Sequence, residues 1–180
     1  MPVRMAEIVG GNQPAAALMG PVAAVAWIAS AGGAAVTPLL ARWLGVAPTA
    51  ALMRVLQGLT VVGMGVFAGV AGVVAAFIAC YAVHGTSNAA HVTLLHGQAE
   101  DRVRATVVSL NSWISQPASA LGTIALTSLA GATSVSTAML VGAVVLAVAA
   151  PLYWPAWRQS RAAVRVQSRV DSTAADSALA

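Results

Sequence analysis

Four side chains that can form hydrogen bonds recur at helical spacing within an otherwise apolar segment: Tyr81, His84, Asn88 and His91. Intervals of 3, 4 and 3 residues place them on one face of a helix. An unpaired amide or imidazole is costly in an apolar medium, so this face is expected to turn toward protein or water. An imidazole titrates near neutral pH, so His84 or His91 could carry a proton in a coupled cycle. We predict that the face lines a path for a small solute.

A second polar stripe follows at similar spacing, formed by Ser109, Ser112, Gln116, Ser119 and Thr123. Serine and threonine hydroxyls often bond to the carbonyl one turn earlier, and stripes of small residues are common packing seams. Packing is therefore the expected role of most of this stripe. Gln116 is too large and too polar for a seam, so we include it among the residues of the substrate path.

The elements that must position these residues follow from three stretches without Asp, Glu, Lys or Arg, at 8–41, 55–99 and 105–157. A membrane-spanning helix needs about 20 apolar residues, so one span fits the first stretch and two fit each of the others. The spans are expected at about 15–40, 49–68, 73–95, 105–130 and 135–157, with Thr49 as the cap of the second and Ser134 or Ser136 as the cap of the fifth. The sequence thus predicts an all-α integral membrane bundle at 15–158, after an N-terminal segment at 1–14 and before a basic, disordered tail at 159–180.

The composition supports a membrane protein and excludes a nucleic-acid partner. Hydrophobic residues make up 59% of the 180 positions and charged residues 8%, against about 25% charged residues in soluble domains. The net charge of +4 comes from arginines at the ends of apolar runs rather than from a basic patch. The expected partner of most of the surface is therefore the lipid bilayer.

The arginines also predict an orientation. With five spans, all arginines except Arg4 fall on one side, which the positive-inside rule makes cytoplasmic. We therefore expect a multi-pass protein of the plasma membrane with its N-terminus outside and its C-terminus in the cytoplasm.

Three short motifs follow one another along the chain: Gly33, Pro38, Arg42 and Gly45 around the end of the first span, Gly85 and Asn88 in the third, and Arg102 and Arg104 before the fourth. Their order resembles the last five helices of the major facilitator superfamily of secondary transporters. The first motif resembles the second copy of the family's cytoplasmic loop motif, the second an element of its tenth helix, and the third the usual entry to its eleventh.

This resemblance implies a permease that moves a small solute by alternating access between two halves. Because the helices that would form the other half are not in the sequence, we expect a C-terminal portion, completed by missing N-terminal helices or by a second chain.

Two alternatives remain open: a small accessory membrane protein that packs against a partner, and an intramembrane enzyme that uses His84 and His91. The sequence contains no catalytic constellation, so we predict no enzyme and no cofactor. We also predict no metal site, because His84, His91 and His96 lack the spacing and the acidic partner of helical zinc sites.

Overall fold

The computed structural model describes the backbone of residues 1–179 and the side chains of residues 1–162, 165, 166, 168 and 169. Within this range the chain forms seven α-helices joined by short turns. No strand occurs within 1–179. The helices are α1 (Pro2–Val9), α2 (Asn12–Leu44), α3 (Val46–Val66), α4 (Val70–Gln98), α5 (Arg104–Ala132), α6 (Val135–Ala149) and α7 (Trp154–Leu179), with a 3₁₀ turn at Ala150–Tyr153 between α6 and α7.

In the described part of the chain, four helical stretches are long and apolar enough to cross a membrane: Asn12–Leu44, Val46–Val66, Val70–Gln98 and Val135–Ala162. The last of these combines α6, the 3₁₀ turn and the start of α7. The span expected at 105–130 is helical in α5, but α5 is not among the four. Its serine, threonine, asparagine and glutamine side chains lower the hydropathy of every window along it.

Two predictions of helix starts have different outcomes. Thr49 was expected to cap the second span, but α3 begins earlier, at Val46, directly after Gly45. Gly45 has φ 88°, a backbone conformation that favours glycine, and it turns the chain sharply between α2 and α3. Thr49 instead donates a hydrogen bond to the Gly45 carbonyl at 2.7 Å. Of the two caps expected for the fifth span, Ser134 or Ser136, it is Ser134 that caps α6, since its hydroxyl accepts the Thr137 N–H at 3.0 Å.

Helix α4 packs between α2 and α3, and α6 packs on the other side of α3. The end of α2, the start of α3, the end of α4 and the start of α7 meet around one groove. We call this end of the bundle the arginine end, because Arg42, Arg102 and Arg104 belong to its turns and Arg158 and Arg161 to the start of α7. Helix α5 leaves the arginine end after α4 and finishes beside the start of α6, at the opposite end of the bundle.

At that opposite end, the N-terminal segment folds as α1, which the sequence did not predict. Met5 is fully buried and packs with Ala15 at the start of α2 and Val73 at the start of α4. The Arg4 guanidinium donates to the carbonyls of Gly65 and Phe67, at 3.4 and 3.2 Å. These carbonyls end α3 without partners in their own helix, so Arg4 neutralises the negative end of that helix.

The tail also differs from the expectation of disorder, because residues 159–179 continue α7. Trp154 and Trp157 pack edge to face, with ring centroids 4.6 Å apart. Arg158 lies over Trp154 and Arg161 over Trp157, at 5.7 and 4.6 Å from the ring centroids. These cation–π contacts fix the first two turns of α7.

Candidate functional site

The candidate site is built on a close crossing of α2 and α4. A Cβ atom at Gly33 would overlap the backbone carbonyl of Ala82, and one at Gly85 would overlap that of Ser30. Thr86 Oγ1 donates to the Gly33 carbonyl at 2.7 Å and ties the two backbones together. Two glycines on facing helices thus permit backbone contact, as is common in membrane bundles.

Beside this crossing lies a groove of about 440 Å³ between α2 and α4, which we call the α2–α4 groove. Ser30, His84 and Asn88 contribute polar side chains to the groove, and the other residues that line it are apolar. Trp27 lies at one side and Ala34 lies on the wall formed by α2. The groove can offer hydrogen bonds from uncharged groups beside an aromatic face, which suits a small solute without strong charge.

Two residues of α3, Arg54 and Gln57, form a hydrogen-bonded relay to the His84 imidazole. Arg54 donates from Nη1 to Gln57 Oε1 at 3.4 Å, and Gln57 Nε2 lies 3.2 Å from His84 Nδ1. Gln57 is buried, while Arg54 and His84 are half-buried. The Arg54 guanidinium is thus directed to an amide one turn further from the arginine end.

The relay assigns a tautomer to His84. A guanidinium can only donate, so the Gln57 oxygen faces Arg54 and the Gln57 NH₂ faces the imidazole. His84 Nδ1 therefore accepts, and its proton resides on Nε2. This arrangement fits a neutral imidazole with one N–H free for a ligand in the groove.

The remaining members of the predicted α4 face do not line this groove. Tyr81 packs its ring against Trp27 and Phe77, with centroids 5.4 and 4.8 Å away, so it supports the wall. His91 is two turns beyond His84, where its Nδ1 lies 3.2 Å from the hydroxyl of Tyr153 in the 3₁₀ turn. The structure thus separates His91 from His84 and Asn88.

Gln116 lies outside the groove as well, on the exposed surface of α5. No side chain of α5 is buried, because the helix contacts mainly α6 and, to a smaller extent, α4. Several hydroxyls of the predicted stripe bond within the helix, including Ser112 to the Val108 carbonyl at 3.1 Å and Thr123 to the Ser119 carbonyl at 2.9 Å. These contacts account for the hydroxyls but leave Gln116 uncovered.

The residues of the predicted loop motif and of the predicted helix entry occupy three different places along the chain. Gly33 lies inside α2 at the crossing, Arg42 lies in the last turn of α2, and Gly45 forms the turn to α3. Arg102 is in the turn before α5, and Arg104 is the first residue of α5, where it pairs with Asp101.

Sequence reasoning missed Gln57, although a glutamine inside an apolar helix was itself a signal. No group of three His, Cys, Asp or Glu side chains that could hold a metal ion occurs among the residues whose side chains are described.

Residues 1–179 form an all-helical fold, in which four helices are long and apolar enough to cross a membrane. No protein-family model, characterised protein or solved structure matches it.

Proposed function

We propose that this chain forms one wall of the solute path of a secondary transporter in the plasma membrane. The observation that carries the proposal is the α2–α4 groove, whose polar groups lie on two helices long and apolar enough to span a bilayer. Polar groups within a membrane-spanning helix carry a free-energy cost unless they face protein or water, and in transporters they mark substrate paths. The resemblance to the major facilitator superfamily supports the same function.

Alternating access needs a second wall that can rock against the first. In this proposal, helices outside these seven supply it, from the same polypeptide or from a second chain. The exposed face of α5 supports this, because Gln116 would otherwise meet lipid. Solute binds to the His84 N–H and the Asn88 amide, and protonation of His84 would release Gln57 and couple proton movement to binding.

Thiol labelling in the native membrane tests the proposal without knowledge of the solute. With Cys80→Ala as background, Ala34→Cys and Asn88→Cys report on the groove, while Val144→Cys and Val148→Cys report on an apolar surface of α6. A hydrophilic methanethiosulfonate should modify the groove positions roughly tenfold faster or more, because the reactive thiolate forms in water. Equal, slow labelling of all four positions would refute a water-filled path.

The orientation in this proposal places the arginine end in the cytoplasm. Because α5 begins at that end and finishes at the other, residues 99 and 133 should lie on opposite sides of the membrane. A membrane-impermeant thiol reagent added outside intact cells should label Thr133→Cys and not Ala99→Cys, again in the Cys80→Ala background. The reverse pattern would overturn the orientation, and labelling of both would show that α5 does not cross.

A second candidate, an accessory membrane subunit, is favoured by the lack of buried side chains on α5. In that case a partner helix covers Gln116, and the groove holds no water. Slow labelling of Asn88→Cys together with photocrosslinking from position 116 to another protein would support this candidate over transport.

A further inference from the structure

Two grooves adjoin at the arginine end, on either side of Trp157. The first, which we call the polar groove, has a volume of about 900 Å³ and lies between α7 and the ends of α2, α3 and α4. Thr93, Gln98 and Ser160 contribute polar groups to it, and Arg161 and Arg165 lie on its wall. None of the described residues that line it is acidic.

The second, which we call the apolar groove, has a volume of about 540 Å³ and shares Ala47 and Trp157 with the first. It follows successive turns of α3 through Ala51 and Val55, away from the arginine end, with Ala147 of α6 on the opposite wall. No charged side chain lines it among the residues described. Its direction is therefore that of an acyl chain descending from the membrane surface.

The two arginines are placed to bind one anion. Arg161 and Arg165 are four residues apart on α7, so their side chains leave the same face of the helix. The stacking of Arg161 on Trp157 holds its guanidinium at the boundary between the two grooves. Guanidinium groups bind phosphate oxygens in bidentate geometry, which an ammonium group cannot do.

We propose that the two grooves together bind one anionic phospholipid. Its phosphate lies between Arg161 and Arg165 in the polar groove, and one acyl chain follows α3 in the apolar groove. Charge complementarity with the two arginines selects an anionic headgroup. The apolar groove, which has no charged side chain among the residues described, selects a lipid rather than a free phosphate. The site is separate from the α2–α4 groove, so it does not depend on the proposed transport function.

The first test measures thermal unfolding of the purified full chain in uncharged detergent. Phosphatidylglycerol should raise the midpoint temperature at increasing concentration, because a ligand that binds only the folded state stabilises it. Phosphatidylcholine with the same acyl chains and glycerol phosphate alone should have no comparable effect. An equal shift with phosphatidylcholine would refute charge selection, and an equal shift with glycerol phosphate would reduce the site to a phosphate site.

Variants locate the site. Arg161→Gln with Arg165→Gln should weaken the apparent affinity for phosphatidylglycerol about thirtyfold, from about fivefold for each arginine near a lipid surface. Arg102→Gln removes a charge at the same end of the bundle but outside both grooves, and should leave the affinity unchanged.

Ala51→Phe fills the apolar groove without changing charge, and should also weaken binding. Unchanged affinity in the double arginine variant, or an equal loss in Arg102→Gln, would overturn the proposal. If a variant fails to fold, the thermal shifts of the unmodified protein with phosphatidylglycerol, phosphatidylcholine and glycerol phosphate test the proposal.

Discussion

Adjacent glycines in α2 offer a sharp test of the helix crossing that supports the candidate site. Gly32 and Gly33 have the same sequence context, yet a Cβ at Gly32 would meet nothing within 4 Å. A Cβ at Gly33 would overlap the Ala82 carbonyl and lie 3.1 Å from Thr86 Oγ1. The same substitution, glycine to alanine, should therefore have opposite effects at the two positions.

The magnitudes follow from the contacts. Gly32→Ala should stabilise the protein by about 0.5–1 kcal/mol, since glycine is a poor helix former. Gly33→Ala gains the same amount but adds about 1–3 kcal/mol of overpacking strain. Relief of the overlap moves α2 and α4 apart, which breaks the 2.7 Å hydrogen bond from Thr86 to the backbone carbonyl of residue 33, worth about 1 kcal/mol. The net expectation is a loss of about 1–3 kcal/mol.

Unfolding of both variants in the same detergent, by thermal denaturation followed through tryptophan fluorescence, measures the difference. Far-ultraviolet circular dichroism checks that both retain the helical content of the parent. If Gly33→Ala is as stable as Gly32→Ala, α2 and α4 are not in backbone contact at this place. The α2–α4 groove would then lose the feature that positions its walls.

Three further substitutions test single contacts. Gln57→Leu should release His84 Nδ1, and ¹⁵N NMR of labelled imidazole should detect a shift away from the Nε2–H tautomer; an unchanged spectrum would contradict the relay. Tyr153→Phe removes the hydroxyl that bonds His91 and should lower stability by about 0.5–1.5 kcal/mol, measured by thermal unfolding. Ser134→Ala should cost about 1 kcal/mol in the same assay through loss of the α6 cap, and a neutral result would contradict the capping role.

The sequence predicted the presence of the four long apolar helices better than their ends. The stretch expected at 73–95 corresponds to Val70–Gln98, and the one at 49–68 to Val46–Val66. Hydropathy locates residues that prefer an apolar medium, but helices continue until a residue such as Gly45 changes the backbone direction. The same limitation hid α1, whose burial of Met5 depends on partners far along the chain.

The site was predictable only within one helix. Spacing alone places His84 and Asn88 on one face of α4, and both line the groove. The partner of His84 was not predictable, because Gln57 reaches it from α3 through the packing of two helices. The separation of His91 from this site has the same origin, since Tyr153 comes from the 3₁₀ turn after α6.

Helix α5 shows why hydropathy and topology must be read together. By composition it is not among the helices apolar enough to span a membrane, yet it connects the arginine end to the turn at Thr133 and Ser134. If the four apolar helices cross a bilayer, α5 must cross with them. The free-energy cost of placing its hydroxyls in lipid is reduced because several donate hydrogen bonds to carbonyls of their own helix, such as Thr127 to the Thr123 carbonyl at 2.7 Å. Gln116 has no such local solution, so its position marks the face of α5 where another protein surface or water is required.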